Sequence, residues 1–239
     1  MSDRTHSIPG MHLWISDRGQ GPPIVLCNGG PGCADYLAPV AAMIDDRHRV
    51  IRWEPRGCGR SQADGLYDLH TTLADLDAIR EDLGIDRWIV GGHSHGALVA
   101  LTYALEYPHR TKGILYISGA GIQNDRSWSE TYHKGLEEDR ELKLDETFPS
   151  NMIVNRIGNA SAKAYFRAPD ILRQIATLSV PMAAIQAGGD IRPNWPVEQI
   201  VALMPSASLT IVPEADHHIW LTHPDELRKA LREGLASLA

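Results

Sequence analysis

Six short apolar runs recur along the chain, at residues 24–27, 49–53, 87–90, 113–117, 182–185 and 209–212, and they are nearly continuous rather than alternating. A strand with one wet face alternates apolar and polar residues, so continuous runs indicate strands covered on both faces. Between several of them lie helix-compatible stretches at residues 71–83, 95–106, 197–204 and 224–238. In the last, Leu227, Leu231 and Leu235 recur every four positions and would form one apolar stripe. Strands alternating with helices predict an α/β architecture, a mostly parallel sheet flanked by helices. An early stretch, residues 11–16, is expected to pair antiparallel at the sheet edge.

One region breaks this rhythm. Residues 122–179 contain no clear buried strand, but a charged, helix-compatible run over 137–143 followed by irregular, amide-rich sequence. The expected organisation is therefore a core made of residues 1–121 and 180–239, with residues 122–179 as a small lid insertion above the carboxyl ends of the strands. The alternative is an ordinary long surface excursion.

Composition removes several function classes. The chain of 239 residues is the length of one large domain, and its 23 basic against 30 acidic residues leave a net charge of −7 with no basic tract. Nucleic acid and anionic membrane surfaces are thus poor partners. Three cysteines without C-x-x-C spacing argue against a disulfide framework or a structural zinc. The first residues lead into no apolar signal-like run, and the longest mostly apolar stretch, 97–105, is far short of a membrane span. A soluble, cytoplasmic protein is expected.

Chemistry enters at Gly92-His93-Ser94-His95-Gly96, which follows one apolar run and opens a helix-compatible stretch. G-x-S-x-G between a strand and a helix marks a sharp turn that lifts the serine hydroxyl above the sheet. A serine hydroxyl is a weak nucleophile and needs a base, itself oriented by an acid. In sites of this kind the chain order is serine, acid, histidine. Asp190 follows the run ending in Gly188-Gly189, and His217 with its neighbour His218 follows the next run. Asp190 has the alternative of a plain turn aspartate. Of the two histidines only one can reach the serine, and position along the chain leaves both open.

A tetrahedral oxyanion needs two preset N–H donors. One is expected from His95, the residue after the nucleophile. The other is expected from the loop Asn28-Gly-Gly-Pro-Gly32, where Gly30 is the first choice and Gly29 the second. That loop is not G-x-G-x-x-G, and Gly57-Cys-Gly59 lacks the third glycine, so no dinucleotide site is indicated. No metal constellation stands out, and no cofactor is expected.

Together these landmarks resemble the α/β-hydrolase-fold serine hydrolases, more narrowly the proline iminopeptidase-related branch. The narrower likeness rests on the Gly-Gly-Pro-Gly loop and on Trp53-Glu-Pro-Arg-Gly-Cys-Gly-Arg-Ser61, similar to the family's Asp-Gln-Arg-Gly-x-Gly-x-Ser turn. In the family's last motif the first histidine is the base, which the resemblance maps to His217. The resemblance implies an α/β-hydrolase fold and a Ser94–Asp190–His217 triad. The chain departs from the branch at Asn28, where histidine is usual, at Glu54, where aspartate is usual, and around the nucleophile, where Gly-Gly-Ser-Trp-Gly is typical. Proline iminopeptidases hold the substrate's α-amine with acidic residues of the lid region. Glu137, Glu138, Asp139 and Glu141 offer carboxylates here, with a solvated helix face as the alternative. The expected activity is cleavage of a small ester, amide or N-terminal peptide bond in a small-molecule or short-peptide substrate. A carboxylesterase or lactonase without aminopeptidase activity is the alternative, and a non-catalytic binding protein of the same fold is a further one.

Overall fold

The computed structural model describes residues 2–8 (by backbone alone), 10–138, 140, 142, 144 and 148–238. Eight strands form one sheet: β1 (Ser2–Ile8), β2 (Met11–Arg18), β3 (Pro23–Cys27), β4 (Arg49–Trp53), β5 (Trp88–His93), β6 (Thr111–Ile117), β7 (Met182–Ala187) and β8 (Ala207–Val212). Their spatial order is β1-β2-β4-β3-β5-β6-β7-β8. Strands β3 to β8 run parallel, and β1 and β2 join antiparallel on the β4 side. The stretch expected at the edge is thus the second strand. The edge itself is β1, paired with β2 along its whole length.

Alternate residues of the central strands supply two cores, one on each face. Ile24, Leu26, Leu115 and Ile117 pack to one side with Leu227, Leu231 and Leu235 of the C-terminal helix. Val25, Val90, Ile114 and Tyr116 pack to the other with Leu73, Leu76 and Ile79. Burying each such side chain is worth about 1.5–3 kcal/mol, which explains why both parities of these strands are apolar. The exception is β8 at the sheet edge, where Ile211 is exposed.

The helices are α1 (Ala38–Ala41), α2 (Leu69–Asp82), α3 (His95–Glu106), α4 (Arg126–Glu137), α5 (Met152–Tyr165), α6 (Ile171–Thr177), α7 (Trp195–Leu203), α8 (Ile219–Thr222) and α9 (Pro224–Ser237). Between β6 and β7 the sequence reading needs correction. Helix α4 ends at Glu137, where the charged run begins, and the stretch read as irregular forms α5 and α6. Asn151 caps α5 by accepting from the N–H groups of Ile153 and Val154. This region is tied to the core: Asn151 N–H donates to the Gly32 carbonyl at 2.9 Å, and Trp128 Nε1 donates to the Pro193 carbonyl at 3.1 Å. Among the described residues, no helix is long and apolar enough to cross a membrane.

Candidate active site

Strand β3 has β4 on one side and β5 on the other, so the connections leaving β3 and β5 diverge and open a crevice at their carboxyl ends. Ser94 stands at that point, between β5 and α3, with φ 56° and ψ −120°. A non-glycine residue held there stores roughly 1–3 kcal/mol of strain, and the surroundings must enforce it. The flanking glycines allow the required approach. A Cβ on Gly92 would lie 2.1 Å from the Gly96 carbonyl oxygen, and one on Gly96 would lie 2.0 Å from that of Cys27. Backbone atoms cannot swing aside, so Gly96→Ala is expected to cost about 3 kcal/mol or more. A urea midpoint within error of the parent would contradict this.

Asp190 leaves the end of β7 and His217 the loop after β8. His217 Nδ1 donates to Asp190 Oδ2 at 2.5 Å, with both side chains 4% exposed. Asp190 Oδ1 accepts from the Arg192 backbone N–H and from Arg192 Nη1, each at 3.0 Å. Burial alone would raise the Asp190 carboxyl. The His217 hydrogen bond and the Arg192 guanidinium outweigh it and hold the group below the usual carboxylate range. Ser94 and His217 line one cavity of about 790 Å³, together with Gly29, Gly30, Tyr36 and Arg192.

The neighbouring residues are engaged elsewhere. Asp216 accepts from the His217 backbone N–H at 2.6 Å and from the Leu142 N–H at 3.0 Å. His218 Nδ1 donates to the Leu142 carbonyl at 3.1 Å, so it fastens the segment after α4 rather than meeting Asp190. In the loop after β3, Gly29 N–H donates to the Tyr36 hydroxyl at 2.6 Å. Among the described residues no acceptor is seen for Gly30 N–H, and His95 N–H lies in the first turn of α3, where helical donors lack intrahelical partners. A Cβ on Gly29 would stand 2.7 Å from Ser94 Cβ, which fixes how tightly this loop seats on the serine. Asn28 donates from Nδ2 to the Cys33 carbonyl at 2.9 Å, and among the described residues no partner is seen for its buried Oδ1. The fully buried Glu54 accepts from the backbone N–H groups of Asp35 and Arg60 and from the Arg60 guanidinium, bracing the turn beside the site.

Glu137 and Glu138 are exposed, and Glu138 pairs with Lys134 and Arg140. Asp139 and Glu141 lie outside the described residues. Among the described residues no group of His, Cys, Asp and Glu is arranged to hold a metal.

Three residues in these contacts were not singled out from the sequence: Arg192 on Asp190, Tyr36 on Gly29, and His93. The last is wholly buried, and its imidazole is pushed well below the ordinary histidine value by burial and by the neighbouring His217 and His218. His95 is likewise lowered by burial, to about 4. Both are therefore neutral in the folded protein where the unfolded chain, with histidines near 6.5, takes up protons. The unfolded state binds more protons below pH 6.5, so stability is full above that value. It falls as pH drops towards 4, by up to about 1.4 kcal/mol per pH unit for each histidine. Urea unfolding at pH 7.5 and 5.0 should show this loss, reduced in His95→Gln; an unchanged slope in the variant would refute the assignment.

Residues 22–151 match the family model described as alpha/beta hydrolase fold. The proline iminopeptidase of Neisseria meningitidis serogroup A is 36% identical over 104 residues, 40% of this chain and 32% of that protein. That of Lactobacillus delbrueckii subsp. bulgaricus is 26% identical over 182 residues, 71% of this chain and 60% of that protein. The matched part thus spans about a third to three fifths of these curated relatives. Two solved structures share the fold over nearly their whole length. The proline iminopeptidase of Mycobacterium smegmatis has a TM-score of 0.76 at 18% identity, covering 99% of this chain and 98% of that one. A thermophilic esterase from Thermogutta terrifontis has a TM-score of 0.78 at 21% identity, covering 99% and 97%. With the strand order, the turn around Ser94 and this match over more than half its length, the chain belongs to the alpha/beta-hydrolase fold family.

Proposed function

We propose that this protein is a serine hydrolase that cleaves a small ester, amide or N-terminal peptide bond through an acyl-enzyme, in the manner of the proline iminopeptidases it resembles. The reading is carried by the 2.5 Å bond from His217 Nδ1 to Asp190, which leaves Nε2 as the ring nitrogen available to the cavity that Ser94 lines. Ser94 Oγ attacks the substrate carbonyl while His217 Nε2 takes its proton. Asp190 holds the imidazole in the Nδ1–H tautomer and stabilises the imidazolium that forms. The N–H groups of Gly30 and His95 receive the oxyanion, Gly29 being already engaged by Tyr36. The proton then passes to the leaving group. Water, deprotonated by the same His217, releases the acyl group and restores Ser94. Residues 122–179 act as the lid, fastened by His218 and Asp216 to Leu142.

A carboxylesterase or lactonase-type activity is the second reading within this class. Among the cavity's described lining residues the carboxylate is Asp35, whose side chain is paired with Arg52, and the cation is Arg192. Neither is suited to hold a substrate ammonium group. p-Nitrophenyl esters of graded acyl length, assayed beside proline and alanine arylamides with free and blocked amines, separate the two activities. Selective cleavage of the free-amine prolyl arylamide assigns the aminopeptidase, and turnover of esters with no gain from a free amine assigns the esterase; no turnover of either class would contradict the hydrolase reading.

A further inference from the structure

The two loops that carry the proposed oxyanion donor and the proposed base come from strands four positions apart in the sheet, β3 and β8 being separated by β5, β6 and β7. Yet their relative placement must hold within a fraction of an ångström, since a misplacement of about 1 Å can cost about 10²-fold in rate. A continuous set of hydrogen bonds spans the gap. Gly29 N–H donates to the Tyr36 oxygen at 2.6 Å, Tyr36 Oη lies 2.8 Å from His93 Nδ1, and His93 Nε2 lies 3.0 Å from the His217 carbonyl oxygen.

The direction of every bond in this set is determined. A carbonyl oxygen only accepts, so His93 Nε2 must carry a proton. A neutral His93 then has a bare Nδ1, which accepts from the Tyr36 hydroxyl. The Tyr36 oxygen, its proton spent on His93, is left to accept from Gly29. Each group is used once, and reversing the middle bond would require an imidazolium at His93. The neighbours of His93 maintain its neutral form: the His217 and His218 rings lie 4.6 and 5.3 Å away, the Trp220 ring packs edge-on at 4.9 Å, and the Arg192 guanidinium adds a further opposing charge.

We propose that Tyr36 and His93 are positioning residues, which lock the oxyanion loop to the loop of the base through one unidirectional hydrogen-bond relay. The relay rests on the serine-hydrolase reading for its effect on rate. It also orients the Gly29 peptide: with that N–H turned to Tyr36, the adjacent Gly30 N–H is the one left to meet the oxyanion. Neither side chain takes part in bond making. Tyr36 stacks on Trp220 at 6.0 Å, so its ring would be retained for packing whatever its hydroxyl does.

Tyr36→Phe separates the two roles, because it preserves the ring contacts and removes only the hydroxyl. With p-nitrophenyl acetate, kcat is expected to fall about 10- to 100-fold with KM changed less than about threefold, as for a loss felt mainly in the transition state. The rate of fluorophosphonate labelling should fall in parallel. His93→Leu should lose as much, and the double variant no more than the larger single loss, since both cut one relay. His93→Gln, whose amide can donate to the His217 carbonyl while its oxygen accepts from Tyr36, should recover at least about tenfold of the His93→Leu loss. Wild-type rates in Tyr36→Phe, in a preparation whose parent labels at Ser94, would overturn the relay and leave the hydrolase reading standing. Losses that multiply in the double variant would overturn it equally. An activity-independent readout is the ¹⁵N spectrum of the His93 imidazole: protonated Nε2 and bare Nδ1 are expected from pH 8 to pH 5. A protonated Nδ1 would overturn the relay even if the protein proved to have no hydrolase activity.

Discussion

Asp190→Asn is expected to leave the protein folded and to lower turnover by about 10⁴-fold, as for loss of the carboxylate from a serine-protease triad. The asparagine fits the same space and keeps the backbone turn. However, it presents either an amide nitrogen to His217 Nδ1 or a neutral oxygen. In the first case the ring adopts the wrong tautomer and Nε2 can no longer accept from Ser94. In the second, no charge stabilises the imidazolium. Asp190 is also the carboxylate that the His217 hydrogen bond and the Arg192 guanidinium hold below its usual range, which favours its ionised form. Asp216 is the competing carboxylate nearby, and its oxygens are occupied by two backbone N–H groups. If Asp216→Asn gave the large loss and Asp190→Asn a small one, the acid would be misassigned.

The second large effect concerns the adjacent histidines. His217→Ala is expected to lower kcat on the order of 10⁶-fold, because Ser94 then has no proton acceptor and the serine and its base act as a unit. His218→Ala should retain measurable turnover. Its ring lies in the cavity wall, but its Nδ1 proton is given to the Leu142 carbonyl and not to an acid. Removing it frees the segment after α4, so its loss should appear chiefly in KM for bulkier esters. The reverse result, His218→Ala inactive and His217→Ala active at equal folded fraction, would shift the base by one residue.

The fold was most legible where burial is two-sided. Strands β3 to β7 read as continuous apolar runs because alternate residues feed different cores, and the beginning and end of α3 at His95 and Glu106 coincide with the apolar stretch after the elbow. Strand β1 carries the sequence Ser-Asp-Arg-Thr-His-Ser-Ile, which has no strand signature, and only its backbone pairing with β2 defines it. Helix α5 was hidden by Asn151 and its amide-rich context, although an asparagine ahead of Met-Ile-Val is a capping signal. At the site, Ser94 and Asp190 were named because the chemistry restricts the residue types and the strands restrict their places, whereas the choice of His217 over His218 came from the family resemblance. Tyr36, His93 and Arg192 were not named, since their roles depend on bonds between loops far apart in sequence. His93, next to the serine in the chain, turns its ring to the Tyr36 hydroxyl and the His217 carbonyl, into the relay.

The central claim is that Ser94 is an activated nucleophile, and covalent labelling reads this with no knowledge of the substrate. A fluorophosphonate applied to the folded protein, followed by peptide mass spectrometry, is predicted to give one adduct on the peptide containing Ser94. That adduct should be absent in Ser94→Ala and in His217→Ala. An adduct on another serine, or no adduct in a folded preparation, would contradict the account.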